Sequence, residues 1–305
     1  MNGLIFWAGF IGFVVVMLVL DLTVFHRGAR EVRFRSALAW SAFWVALAAV
    51  FAVLVYFWRG RVPALDFTTG YLIEESLSVD NLFVFLLIFR YFKVPGPYQH
   101  KVLFWGIIGA LVMRLAFIIA GVALINRFHW IIYLFGAFLV YTGVKLARGS
   151  ESEVHPENNP VLKWFRKFIP ITPDYVKGKF IVRQRGLYAT PLLLVLIVIE
   201  TTDVLFATDS IPAVLAITRD PFIVFTSNVF AILGLRSLYF ALAGMMDLFH
   251  FLHYGLAVIL SFIGLKMLIS NYYDVPTHIA LAVVGVVLAV SIGASMLFPK
   301  KTSEN

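Results

Sequence analysis

Apolar residues run along this chain in long stretches separated by short polar breaks. Nine stretches approach or exceed the roughly 20 residues that an α-helix needs to cross about 30 Å of hydrocarbon. They cover residues 4–24, 36–58, 68–90, 102–125, 129–147, 187–211, 222–246, 252–271 and 277–298. The pattern predicts an all-α fold, a polytopic transmembrane helix bundle. The long polar connection, 148–186, holds ESEVHPENNP and then VLKWFRKFIP, where Val161, Leu162, Trp164, Phe165, Phe168 and Ile169 interleave with Lys163, Arg166 and Lys167. Such a basic amphipathic segment suits a membrane-lipid surface, and equally a solvated connector or a membrane-protein partner.

Composition agrees with a lipid-embedded chain: 61% of the residues are hydrophobic, 14% are charged, and the mean hydropathy is +0.90. The absence of Cys excludes disulfides, thiolate metal sites and a cysteine nucleophile. The net charge of +8 reads as loop orientation, with no nucleic-acid partner expected. With the N-terminus outside, the inside segments hold eighteen basic residues: Arg27, Arg30, Arg33 and Arg35; Arg90, Lys93 and Lys101; nine between Lys145 and Arg185; and Lys300 and Lys301. The outside segments hold four, Arg59, Arg61, Arg127 and Arg219. This asymmetry predicts a C-terminus in the cytoplasm. The first run has no basic residue before it and no small-x-small site behind it, so it is expected to be a retained span.

The polar residues inside the spans repeat. Glu74 precedes Asp80-Asn81 by six residues, and Asp203 precedes Asp209-Ser210 by the same interval. Arg114 then matches Arg236, and Gly143-Val144-Lys145 matches Gly264-Leu265-Lys266. Each repeat has three spans, 68–147 and 187–271. An odd number of spans sends the second copy into the membrane from the opposite side, so the repeats are expected to be inverted about an axis in the membrane plane. Residues 1–67 supply two spans before them, and 272–305 a last span and tail. Inverted repeats with midplane polar groups are characteristic of secondary transporters.

Six of the seventeen acids, Glu74, Glu75, Asp80, Glu200, Asp203 and Asp209, fall in two corresponding spans. An ionised acid at the bilayer centre costs roughly 2.5 to 3.5 kcal/mol, so such a cluster points to function. At about 100° per residue, Asp80 lies about 120° round a straight helix from Glu74. We therefore expect both spans to unwind there, helped by Pro212, and to expose carbonyls as further ligands. Carboxylates, Asn81, Ser210 and carbonyls are hard oxygen donors suited to Mg2+, Ca2+ or Mn2+. The seven His residues fall in loops or near span ends, which argues against a buried zinc or copper site. Arg114 and Arg236 are the expected counter-ions. No catalytic residues or cofactors are expected; the Tyr-Asp and Gly-x-Gly-Asp contexts of intramembrane aspartyl hydrolases do not occur.

GYLIEESLSVDN at 70–81, IETTDVLFATDSIPAVLAIT at 199–218, DPFIVFTSNVFAILGLRSLYF at 220–240 and YGLAVILSFIGLKMLI at 254–269 carry a further signal. Through them the sequence resembles the TerC family, grouped with the LysE superfamily of membrane exporters, and especially its bacterial Alx-type members. The resemblance implies an inner-membrane protein that handles Mn2+, most simply by efflux. The family acids fall on Glu74, Asp80, Asp203 and Asp209, with Asn81 and Ser210 beside them and Glu200 in the second motif. Glu75 stands where the family pattern has Lys, which sets it apart. The competing expectation is a membrane assembly or metal-delivery factor that docks partners through 148–186.

Overall fold

The computed structural model describes residues 2–25, 34–148, 159–183, 186–242, 251–273 and 275–297. Arg27, Arg30, Arg33, Arg185, Lys300, Lys301, His26, His155 and His250 lie outside the described residues. Among the described residues there are ten helices: α1 (Asn2–Phe25), α2 (Phe34–Arg59), α3 (Arg61–Tyr91), α4 (Gly96–Arg127), α5 (Ile131–Ala147), α6 (Pro160–Phe168), α7 (Pro191–Leu215), α8 (Pro221–Leu242), α9 (Leu252–Ile269) and α10 (Thr277–Leu297). Among the described residues, six helices are long and apolar enough to cross a membrane: α2, α4, α7, α8, α9 and α10. The chain is a multi-pass, all-α membrane protein.

Helix starts follow backbone chemistry. Pro191 and Pro221 open α7 and α8, where a missing N–H is no loss. Asp220 caps α8 by accepting from Phe222 N at 2.9 Å, and it pairs with Arg59 at the end of α2 at 2.5 Å. Residues 187–189, assigned to a span by hydropathy, instead form strand β2 (Leu187–Ala189), antiparallel to β1 (Ile181–Arg183). The segment leading into this hairpin seats against the α3–α4 turn: the Tyr175 hydroxyl donates to Phe92 O at 2.8 Å, and Lys101 Nζ donates to Gly178 O at 2.8 Å. Burial raises the Tyr175 phenol above its usual range, which keeps it a neutral donor.

At the centre, α8 is almost wholly buried and packs on α2, α3 and α4, while α7 packs on α3 and α4. The hydroxyls in these helices mostly serve themselves. Thr69 donates to Leu65 O at 2.7 Å, Thr202 to Val198 O at 2.7 Å and Ser237 to Gly234 O at 2.8 Å, which lets polar side chains enter a dry interior without outside partners. α5 and α9 form the most intimate pair. A Cβ placed on Gly136 would lie 2.9 Å from Gly264 O, and one on Gly143 would lie 2.7 Å from Ala257 O. Only glycine permits such backbone approach.

Candidate ion-pair site at the centre of the bundle

Arg114, from the middle of α4, is 2% exposed and organises the interior. Its guanidinium pairs with Glu74 of α3 and grips Asp203 of α7 through two nitrogens, at 3.1 and 3.3 Å. It also donates to Asn228 Oδ1 of α8 at 2.7 Å and to Ser210 Oγ of α7 at 3.4 Å. Asn228 returns a bond through Nδ2 to Glu74 Oε2 at 3.1 Å. Four helices thus meet on one planar cation whose rigid fork of donors suits several acceptors at once. Glu74 is 0% exposed and Asp203 4%. Removing such ions from water is strongly unfavourable unless each finds its partner, so this network has to form intact.

Other expected residues flank the centre. Glu200 lies against α4 so closely that its carboxylate occupies the space a Cβ on Gly109 would fill. Asp203 is near enough to repel it electrostatically. Arg236 of α8 is buried and lines a cavity of about 20 Å³ with Asp203, Gly106, Ile107 and Ala110, room for about one water. Asn81 is buried, seven residues along α3 from Glu74 and so near its face. Glu75 takes a bond from Tyr71 instead, with its Oε2 buried and unbonded.

The unwinding expected near Asp80 and Asp209 does not occur. α3 runs unbroken from Arg61 to Tyr91, and α7 from Pro191 to Leu215. Pro212 falls in the last turn of α7, where its carbonyl still accepts from Ala216 N at 3.0 Å, and the helix absorbs the missing bond. Each second acid therefore sits about 9 Å along its helix from the first and about 120° round it. Asp209 accepts from Thr142 Oγ1 of α5 at 3.1 Å, with Lys145 nearby. Among the described residues, no three His, Asp or Glu side chains converge as metal ligands.

Asn228 is the residue that sequence reasoning missed. The available signal was a lone amide in a run of apolar residues, eight positions before Arg236 and inside one of the motifs quoted above.

The two ends of the bundle differ. At the end opposite the hairpin, a pocket of about 430 Å³ opens between α3, α7, α9 and α10, lined by Leu65, Leu215, Thr218, Lys266, Ser270 and Thr277. Lys266 is buried there and donates to Ala216 O at 3.1 Å; Asp66 accepts from Thr277 at 2.9 Å. At the hairpin end a tight apolar cluster fills the space instead, with Leu82, Phe85, Leu103, Leu162, Val195 and Val198 among its members.

Similar proteins share this whole arrangement of sequence. An uncharacterized membrane protein of Myxococcus xanthus is 52% identical over 292 residues, 95% of this chain and 92% of its own. The "Putative membrane-bound redox modulator Alx" of Salmonella typhi is 49% identical over 296 residues, covering 94% and 92%. The protein of the same name in Escherichia coli (strain K12) is 49% identical over 288 residues, covering 91% and 90%. No solved structure matches the chain. Residues 59–303, which include every member of the Arg114 network, match the integral membrane protein TerC family. The chain belongs to the TerC family of integral membrane proteins.

Proposed function

We propose that this protein is a divalent-cation transporter of the inner membrane, exporting Mn2+ by alternating access, with Ca2+ and Mg2+ as the competing cargoes. The observation that carries the reading is the Arg114 network, in which the buried Glu74 and Asp203 are held by a tethered cation. Buried intramembrane charge marks ion pathways. Two buried carboxylates, Glu74 and Asp203, lie with the buried guanidinium groups of Arg114 and Arg236, and Glu200 lies beside Asp203. A hard dication entering this region finds only oxygen ligands: two carboxylates, the Asn228 amide and the Ser210 hydroxyl.

In this mechanism the metal takes the place of Arg114 at Glu74 and Asp203. Releasing Arg114 uncouples α4 from α3 and α7, and one repeat rocks against the other. Glu200, with protons from either side, completes the charge balance; Asp80, Asn81 and Asp209 line the route on either side of the centre. The α5–α9 pair supports the inverted-repeat reading. The shift that carries Lys145 onto Lys266 turns the Gly136–Gly264 approach into the Ala257–Gly143 approach, and both are made. A contact made in both senses is isologous, as a two-fold axis between the members of the pair requires. The positive-inside pattern puts the hairpin end in the cytoplasm and the pocket end outside.

Purified protein in liposomes should move Mn2+, read by an internal metal-sensitive dye, with an internal pH dye reporting proton exchange. Glu74→Gln and Asp203→Asn should each reduce flux to background. Native flux in both variants would reject the site.

A second reading is an assembly or metal-delivery factor without transport. It is favoured by one surface, on which Trp164 and Phe168 are 63% and 66% exposed beside Lys163, Arg166 and Lys167. Replacing the 148–186 connection with a short linker separates the two, since partner capture would be lost under this reading. The redox modulation in the relatives' name would need carriers other than thiols here, because the chain has no Cys.

A further inference from the structure

In sequence, the segment around α6 suits equally a piece lying on the membrane surface and a solvated connector. Its attachments give another direction. Asn159 Nδ2 donates to Thr201 Oγ1 at 2.6 Å, well inside α7. At the other end, Ala189 N donates to Pro170 O at 2.9 Å and Thr172 N to Ala189 O at 2.8 Å, next to the start of α7. Thr190 and Thr201 are about 16 Å apart along the helix axis, and nine residues of α6 supply about 13 Å before the flanking residues are added. The segment has little slack, so α6 runs antiparallel along the hairpin half of α7. α5 flanks the other half through Thr142 and Asp209.

This places α6 against the acid-bearing turn. Thr201 follows Glu200 and lies two residues before Asp203. Asn159 joins the two elements with one side chain: its Oδ1 caps α6 by accepting from Val161 N at 3.0 Å and Leu162 N at 3.1 Å, while its Nδ2 bonds to Thr201. Leu162, 1% exposed, then enters the apolar cluster that closes the hairpin end. The centre has about 20 Å³ of free volume beside it on this side, against about 430 Å³ in the pocket at the far end. Among the described residues, the apolar cluster closes the hairpin end. Of the helices contributing to that closure, α6 is the shortest, and its packing partner is α7.

We infer that α6 is the gate of the hairpin end, latched beside the carboxylates by Asn159 and Thr201 and released when the central site opens toward that side. The inference rests on the transport reading and names the element that moves. Opening withdraws Leu162 from the cluster and gives a hydrated cation a path along α7 to Glu200. Closing restores the Asn159 bond and seals the apolar cluster again.

The cysteine-free chain permits a direct test. Asn159→Cys with Thr201→Cys, reconstituted in liposomes, should move Mn2+ while reduced, stop when mild oxidation links the pair, and recover on reduction. The extent of cross-linking is read by loss of thiol labelling. If the linked protein moves Mn2+ as fast as the reduced protein, the gate is wrong and the transport reading stands. If native protein moves no Mn2+, Ca2+ or Mg2+, the transport reading fails, and a second measurement decides the gate. A thiol at Val198→Cys, buried in the closed cluster, should react faster with a membrane-impermeant maleimide when Thr201→Val removes the latch and leaves the Asn159 cap of α6 in place. An unchanged labelling rate would overturn the gate.

Discussion

At the scale of single residues, the interior is a problem of matched charge. Arg114 satisfies two carboxylates and an amide at once, so its neighbours are stable only while it is present. Arg114→Ala should destabilise the protein by about 3–5 kcal/mol, since it leaves Glu74 and Asp203 buried without their cation. Thermal unfolding in detergent measures this, and pairing the change with Glu74→Gln and Asp203→Asn should recover much of the loss. Asn228→Ala should cost about 1–3 kcal/mol, the penalty of an unmet buried bond. Arg114, Glu74 and Asp203 were legible in the sequence because charge inside an apolar run has few explanations. Asn228 was not, because an uncharged amide is cheap enough to pass for an ordinary helix residue. The breaks expected at Asp80 and Asp209 are absent, and α3 and α7 carry all their acids as continuous helices.

At the scale of elements, hydropathy located the long apolar helices, six of which, among the described residues, are long and apolar enough to cross a membrane. It erred where local hydrogen bonding decided the outcome. Residues 187–189 pair with 181–183 as a hairpin, and Pro191 restarts the chain as a helix. The direction of α6 was unreadable because it depends on Asn159 meeting Thr201, 42 residues away. The helix pair α5–α9, by contrast, was marked by its glycines. Gly264→Leu should destabilise the protein by about 1–3 kcal/mol through overpacking, because a Cβ there falls 2.6 Å from Gly136 O. Gly285→Ala on α10, with nothing within 4 Å of the new methyl, should stay within about 1 kcal/mol of the parent. Thermal unfolding of the two variants side by side checks both, and an equal shift would show that the close approach contributes nothing.

For the molecule as a whole, the proposed transport reading makes the open pocket at one end and the apolar seal at the other one face of a cycle, and under the positive-inside rule that face would be the outer one. Tyr272, 91% exposed at the pocket end, should as Tyr272→Cys react with an impermeant maleimide added to intact cells. Phe168→Cys, near the hairpin, should react only after permeabilisation; the opposite pattern would reverse the assigned orientation. The reciprocal glycine contact between α5 and α9 has a consequence for ancestry. Two separate copies of a single three-helix unit, inserted in opposite orientations, would find each other through the same pair of small-residue approaches. On the inverted-repeat reading, the α5–α9 pair would carry the geometry of an antiparallel homodimer, and a half-length ancestor of dual topology would have needed no new interface at that pair.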